Sequence, residues 1–149
     1  MSAHGFEVNP HCHRFAVESL AVSSECGIFD DGHAATYDLI AAIQVFEHLE
    51  QPRDLFLTMR DHLNRDGSLY ISVPFILREQ WPFLWNADDR PGPSLPDPFF
   101  DNDVHITHFS VEGLRRMGLG LGARTADYFV SADTYHRSPG AYHGVVFQF

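Results

Sequence analysis

An acidic residue and a histidine follow an apolar run in the middle of the chain, and these two side chains are well suited to acid–base chemistry. The run from Tyr37 to Val45 leads directly to Glu47 and His48. Apolar residues almost without alternation are typical of a parallel strand that is covered on both faces. In an open α/β sheet, ligands bind outside the carboxyl ends of such strands. We therefore expect Glu47 and His48 to border a ligand site, with His48 as a candidate general base.

Two further histidines lie later in the chain, in the segment HITHFS. They are His105 and His108, and Ser110 at the end of the segment is predicted to cap a helix. Either imidazole could pack beneath the segment that precedes them. That segment, from about 75 to 103, is rich in proline and aromatic residues, and a loop of this length in a compact domain is usually functional. We predict that it forms a lid over the ligand cleft.

The elements around these residues indicate an α/β fold. Apolar residues at 55, 56, 59 and 63 form a stripe on one face of a predicted helix, from about 51 to 63. This helix separates the strand at 37–45 from a strand at 68–73. Strand, helix and strand at this spacing form the right-handed βαβ unit of a parallel sheet.

The remaining predicted elements complete a single domain of residues 1–149. They are a strand ending near Val8, a helix over 10–20 that Asn9 caps, a short strand near 20–24, a helix after Ser110, and strands at 124–130 and 144–149.

The composition narrows the range of partners. The 149 residues include 20 acidic and 10 basic side chains, for a formal net charge of -10, which repels phosphate backbones and anionic membranes. No apolar run reaches the roughly 20 residues that a membrane helix requires. The two cysteines, Cys12 and Cys26, lack the spacing of a thiolate zinc site. We predict a cytoplasmic protein that binds neither nucleic acid nor membranes.

Three stretches together resemble the second half of a class I S-adenosylmethionine (SAM) dependent methyltransferase, in the branch that includes the ubiquinone-biosynthesis O-methyltransferases. They are YDLIAAIQVFEHLEQP, LNRDGSLYISVP and HITHFS. The resemblance implies a Rossmann-like sheet, mostly parallel with a late antiparallel strand, and SAM as the cofactor. It also implies methyl transfer to a small-molecule acceptor, with His48, His105 and His108 as candidate catalytic residues.

The same resemblance implies residues that bind the cofactor. Glu7, at the end of the first predicted strand, is placed to accept hydrogen bonds from both ribose hydroxyls of SAM. Asp30 or Asp31 is placed near the adenine amino group. Ile43 is expected to line the adenosine and methionine pocket, largely through its backbone.

The resemblance does not extend to the glycine loop with which the family's domain begins. Neither the family's first strand nor its GxGxG loop precedes Glu7, so we expect a truncated domain in which the strand at 37–45 has lost a neighbour. The GxGxG match at 118–122 follows a helix, and we interpret it as a helix C-cap and turn. Either the neighbouring strands close up, or a partner such as a second copy pairs with the open edge, or the chain is the carboxyl-terminal portion of an enzyme.

Two other functions remain open at this point. A non-catalytic relative would retain the fold for binding or assembly, which the missing glycine loop favours. A metal-dependent methyltransferase would use histidines as ligands, and the candidates are His11, His13, His48, His105 and His108. The small-RNA 2'-O-methyltransferases, which this arrangement resembles in part, hold a metal with a Glu-x-x-Glu-His sequence and a further histidine. Gln44 stands where the first of these glutamates would be, and its neutral amide oxygen is a poorer cation ligand than a carboxylate. We therefore assign no metal site from the sequence.

Overall fold

The computed structural model describes residues 2–75, 105–132 and 141–149. Apart from Phe75, the predicted lid lies outside the described residues. The chain divides into two compact units, Met1–Ala35 and Thr36–Phe149.

The first unit contains a two-stranded parallel sheet. Strand β1 (Gly5–Glu7) pairs with β2 (Ser24–Cys26), so that Glu7 lies opposite Cys26 at the carboxyl ends. The predicted strand near 20–24 begins later than expected, because Ala21 adopts a left-handed conformation with φ of 54° and the chain needs further residues to return to the sheet.

Helix α1 (Pro10–Leu20) connects the two strands, as predicted. The side-chain oxygen of Asn9 accepts hydrogen bonds from the backbone N–H groups of His11 and Cys12, at 2.9 and 3.4 Å. These bonds satisfy donors that have no partner within the helix, and Pro10 lacks such a donor altogether. The start of α1 is therefore determined locally.

The second unit is built on a four-stranded sheet in the order β3-β4-β6-β5. Its strands are β3 (Tyr37–Ile43), β4 (Leu63–Ser72), β5 (Thr125–Ala132) and β6 (Ala141–Gln148). Strands β3 and β4 are parallel, whereas β6 runs antiparallel to both of its neighbours. The α/β sheet with a late antiparallel strand is therefore confirmed.

Helices α2 (Pro52–Asp61) and α3 (Val111–Gly120) bury their apolar stripes in this unit. The most deeply buried apolar side chains of the core are Phe46, Phe56, Leu69, Ile71, Leu114, Val145 and Phe147. Ser110 caps α3 by accepting a hydrogen bond from the Gly113 N–H at 3.0 Å. The glycine pattern at 118–122 forms the end of α3 and the turn after it, as predicted. Among the described residues, no helix has the length and apolar content to cross a membrane.

Strand β3 corrects two predictions. It ends at Ile43 rather than Val45, because Gln44 has a positive φ of 56°. Its side chains are also not covered on both faces, since Leu39 is 60% and Ile43 is 55% exposed. The physical reason is that none of the described residues packs over these two side chains. Strand β3 is also an edge strand among the described residues, because it pairs with β4 on one side and with none of them on the other. Self-association through this edge stays a prediction.

Strand β4 begins at Leu63, earlier than the predicted 68, because the chain continues in the sheet through an irregularity. The pairing shifts between Tyr37, opposite Leu63, and Leu39, opposite Ser68. Within this bulge Asp66 has a φ of 61°, and Asp tolerates this left-handed conformation better than most residues.

Candidate functional site

Glu7 occupies the carboxyl end of β1, immediately before α1. Its Oε1 atom accepts a hydrogen bond from the Asn9 N–H at 2.7 Å. Its carbonyl oxygen accepts a hydrogen bond from the Gly27 N–H at 3.1 Å, which joins the end of β1 to the residue after β2. The side chain is half-buried, and a carboxylate has lone pairs for several donors. Glu7 can therefore accept further hydrogen bonds from hydroxyl groups of a ligand.

A cavity of about 480 Å³, open to solvent, lies within the first unit. Phe6, Ile28, Asp30 and His33 contribute to its wall, which thus combines apolar, aromatic and acidic groups. The rings of Phe6 and His33 meet edge to face, with centroids 4.9 Å apart. Such a wall suits a planar heterocycle with a few polar groups.

The predicted cofactor residues of this unit differ in their relation to that cavity. Asp30 lines it, and its Oδ1 atom also accepts a hydrogen bond from the Gly32 N–H at 2.9 Å, as is common in turns. Glu7 and Asp31 are not part of the lining. The structure thus brings only Asp30 to the cavity wall, and the cofactor roles of these residues stay predictions.

His4, Glu25 and His33 form a cluster of two imidazoles and a carboxylate that no sequence motif predicted, and Glu25 and His33 line the same cavity. His4 Nε2 lies 3.0 Å from Glu25 Oε1, and His33 Nδ1 lies 3.9 Å from the same oxygen. His4 and Glu25 are far apart in the chain and meet because β1 and β2 pair in parallel, whereas His33 lies in the loop that follows β2.

The end of β3 leads into a short 3-10 helix, Phe46–His48. The Gln44 N–H donates to the Ser72 carbonyl oxygen at 2.9 Å, and Phe46 is completely buried. A left-handed conformation is unfavourable for a residue such as Gln44. It persists here because the hydrogen bond to Ser72 fixes the Gln44 backbone and the burial of Phe46 fixes the chain that follows. The turn consequently directs the next side chain, that of Glu47, into the interior.

Glu47 is 1% exposed, and neither of its carboxylate oxygens accepts a hydrogen bond from the described residues. Burial raises the pKa of this carboxyl above its ordinary value. The backbone of Glu47 and the imidazoles of His48 and His105 lower the pKa, but their combined effect is smaller than that of burial. A buried carboxyl without a donor requires an explanation beyond packing.

Two of the three predicted catalytic histidines lie beside this carboxyl. The rings of His48 and His105 have centroids 4.9 Å apart, with an angle of 59° between their planes. His48 Nε2 lies 4.0 Å from Glu47 Oε1, and one ligating atom from each of Glu47, His48 and His105 lies within 4.8 Å of the other two. His108 is exposed and is not part of this group.

Backbone hydrogen bonds hold His105 beside the 3-10 helix. The N–H groups of Ile106 and Thr107 both donate to the Glu47 carbonyl oxygen, at 2.8 and 3.0 Å. The Thr107 hydroxyl donates to the Leu49 carbonyl oxygen at 2.6 Å. The cluster is therefore positioned by main-chain contacts that need no ligand.

Other candidates from the sequence have local structural partners or lie elsewhere. His13 Nδ1 lies 3.0 Å from the Ser24 hydroxyl, a contact between α1 and β2. Within the described ranges, His11 and His13 do not belong to a group of potential metal ligands. Ile43 is exposed at the end of β3, and its cofactor role stays a prediction.

Comparison with known sequences gives one family. The sequence model of a family described as "Methyltransferase domain" matches residues 1–125. No curated protein matches the chain.

Comparison with solved structures gives matches over 99% of this chain. One is a Haloferax volcanii methyltransferase solved in complex with the Trm112 methyltransferase activator, at 15% identity and a TM-score of 0.71. Another is PigF with S-adenosylhomocysteine (SAH), at 12% identity and a TM-score of 0.66. A third is the magnesium protoporphyrin IX methyltransferase of Synechocystis PCC 6803 with bound SAH, at 11% identity and a TM-score of 0.65. The chain spans 71%, 43% and 64% of these three chains, and at such identities the likeness concerns the fold.

Proposed function

Because the chain belongs to the methyltransferase domain family, we propose that it transfers the methyl group of SAM to a small-molecule acceptor. Family membership confirms the predicted class of enzyme and, at that level, its cofactor. The acceptor, the atom methylated and the residues that act are proposals. The observation that carries the proposal is the position of Glu7 at the carboxyl end of β1, directly before the amino terminus of α1.

Glu7 is proposed to bind the ribose of SAM. A ribose presents two neighbouring hydroxyl donors, and a carboxylate can accept a hydrogen bond from each. The backbone N–H of Asn9 donates a hydrogen bond to Glu7 Oε1 and thereby fixes the orientation of the carboxylate. A prearranged acceptor loses less conformational entropy when the ligand binds.

The cavity beside Asp30 is proposed to accept the adenine ring. Its volume of about 480 Å³ lies within the ordinary range for small-molecule sites, roughly 300–1,000 Å³. Asp30 can accept hydrogen bonds from the exocyclic amino group, while Phe6 and His33 offer ring faces and edges. PigF and the Synechocystis methyltransferase were both solved with SAH, which is consistent with a site for this class of cofactor.

On the acceptor side, we propose His48, His105 and His108 as residues that face the acceptor. The His48 side chain is 41% exposed and thus accessible to a substrate. When bound, SAM supplies a methyl group on a sulfonium that is already a good leaving group. The chain's own residues therefore have mainly to align the acceptor, and a strong general base is not required. The resemblance to ubiquinone-biosynthesis O-methyltransferases favours a hydroxyl acceptor.

Calorimetric titration with SAH tests this proposal. The wild-type chain, Glu7→Ala and the control Glu18→Ala are first compared by circular dichroism to establish that each is folded. Glu18 is an exposed carboxylate on α1, in the same unit as Glu7. Hydrogen bonds to a charged group contribute about 1.5–3 kcal/mol each, so Glu7→Ala should weaken SAH binding by about tenfold or more, whereas Glu18→Ala should bind as the wild type does.

Two outcomes would contradict the proposal in different ways. A folded wild-type chain that does not bind SAH would favour a non-catalytic relative that acts in binding or assembly. Equal affinity of the wild type and Glu7→Ala would show that SAH binds but that Glu7 is not its ribose ligand.

A further inference from the structure

The Glu47 carboxyl is the least satisfied polar group among the described residues. It is buried, and neither oxygen accepts a hydrogen bond there. Leaving such a group unpaired in an apolar environment is unfavourable, because it has lost its hydrogen bonds to water and no protein donor replaces them. Three arrangements relieve this cost: a proton, a bound water or a cation. Of these three, the two imidazoles beside the carboxyl favour a cation, because neutral imidazole nitrogens are metal ligands.

We propose that Glu47, His48 and His105 bind a divalent transition-metal ion, with Zn²⁺ as the representative case. One carboxylate oxygen and two imidazole nitrogens form a donor set that suits Zn²⁺ and related ions, whereas Ca²⁺ and Mg²⁺ prefer oxygen donors only. This assignment differs from the sequence prediction of no metal site.

The distances fit a site that tightens when the ion binds. Zn²⁺ bonds to nitrogen and oxygen are about 2.0–2.2 Å long, which places tetrahedral ligand atoms roughly 3.3–3.6 Å apart. The three ligand atoms now lie within 4.8 Å of one another, and His48 Nε2 is 4.0 Å from Glu47 Oε1. Small rotations of the two imidazoles, of about 1 Å at the ligating atoms, close this difference.

The main chain around the site already has the required arrangement. Ile106 and Thr107 donate to the Glu47 carbonyl oxygen and so place His105 next to the 3-10 helix. Phe46, completely buried, anchors that helix to the core. An ion can therefore bind without rearrangement of the backbone, and it can enter from the side of His48, whose side chain is partly exposed.

Three protein ligands leave at least one coordination position open. This part of the inference rests on the proposed function: an acceptor hydroxyl at the open position would be oriented by the ion, and its proton would pass to solvent more readily. His48 and His105 would then act on the acceptor as metal ligands rather than as bases.

Metal binding is tested on the full chain without a polyhistidine tag, after treatment with EDTA and gel filtration. Co²⁺ alone is added while its d–d absorption is recorded, and Zn²⁺ is titrated in a calorimeter. The variants are Glu47→Gln and His105→Asn, with His33→Asn as the matched control. His33 belongs to the other group of imidazoles beside a carboxylate, 3.9 Å from Glu25, and so reports on adventitious binding by the chain's ten histidines.

The expected result is one saturable site in the wild type and in His33→Asn, and affinities lowered by about tenfold or more in both Glu47→Gln and His105→Asn. Equal binding by all four proteins, loss in His33→Asn only, or no binding by the wild type would overturn the proposal. Circular dichroism establishes that all four proteins are folded, and His105→Asn, at a partly exposed position, tests the site independently of the buried Glu47.

Failure of this inference is distinguishable from failure of the proposed function. SAH titrations are made with and without Zn²⁺, so that SAH binding without a metal site contradicts only the inference. A metal site in a chain that does not bind SAH contradicts only the proposed cofactor function.

Discussion

The first 35 residues and the rest of the chain differ in what holds them together. No described residue in the range 2–35 is buried, and α1 exposes Phe15 and Leu20. In the second unit, by contrast, Phe56, Leu114 and Phe147 are completely buried. Glu7 and Asp30, two of the proposed cofactor residues, thus lie in a unit without a buried core among the described residues, whereas the proposed metal ligands lie in a unit with an apolar core. The stability of the chain should therefore depend mainly on the second unit, and a ligand should stabilise the first.

The largest expected effect comes from overfilling the core of the second unit. Gly118→Val places side-chain atoms where the buried ring of Phe147 lies, and that ring is held edge to face against Phe56. We expect a loss of about 3 kcal/mol in the free energy of unfolding, measured by urea titration. The control is Gly120→Ala in the same helix, where an added Cβ meets nothing, and it should raise stability by up to about 1 kcal/mol. Equal stability of the two variants would contradict the comparison.

The second-largest effect on stability is expected at the buried Glu47 carboxyl, in protein from which metal has been removed with EDTA. Burial raises the pKa of Glu47 in the folded state, so the folded state holds its proton more tightly than the unfolded state does. The contribution of Glu47 to stability is thus greatest below its unfolded pKa of 4.5 and falls as pH rises through the folded value. Glu47→Gln should therefore be more stable than the wild type at pH 7.5, by about 1–3 kcal/mol, with a smaller difference near pH 4.5.

The control for this exchange is Glu50→Gln, at an exposed position shortly after Glu47. It should change the free energy of unfolding by less than about 0.5 kcal/mol at either pH. With saturating Zn²⁺ present, the order of wild type and Glu47→Gln should reverse, because the ion stabilises only the protein that binds it. An advantage of Glu47→Gln that persists unchanged in Zn²⁺ would argue that the carboxyl is not a ligand.

A smaller effect on stability is expected when a hydrogen bond that holds the segment around His105 in place is removed. Thr107→Val removes the hydroxyl that donates to the Leu49 carbonyl oxygen at 2.6 Å. Stability should fall by about 1 kcal/mol, and Co²⁺ affinity should fall as well, because His105 is held less firmly. In Thr36→Val, which removes an exposed hydroxyl that donates to Asn64, Co²⁺ affinity should stay unchanged. A Thr107→Val protein with wild-type Co²⁺ affinity would mean that the backbone contacts alone position His105.

The smallest effect is expected in the first unit. Asn9→Ala removes the side-chain cap of α1 and should cost about 0.5–1 kcal/mol locally. Since no residue described in this unit is buried, we expect faster hydrogen exchange in α1 and unchanged exchange in β4 and β6, measured by mass spectrometry. Uniformly faster exchange in both units would show that they unfold together, and the comparison between them would fail.

Where the sequence predicted structure well, the cause was local. Asn9 and Ser110 cap α1 and α3 as expected, because an N-cap bond joins residues only two or three positions apart. The bounds of β4 were wrong because its bulge depends on pairing with β3, a contact between distant parts of the chain. The burial of β3 was wrong because an apolar pattern predicts which side chains could be covered, not what is present to cover them.

The sequence alone determined the family, the helix starts and the residue types available at the strand ends. Motifs, caps and periodicity each depend on residues that are only a few positions apart in the chain. It also named His48 and His105 as candidates. Only the tertiary structure decided that Glu47 is buried, that it lacks a donor among the described residues, and that His105 lies beside it. Packing around Phe46 and backbone bonds from 106 and 107 to Glu47 produce this arrangement. Burial and proximity between distant residues depend on the whole folded unit, and no local pattern specifies them.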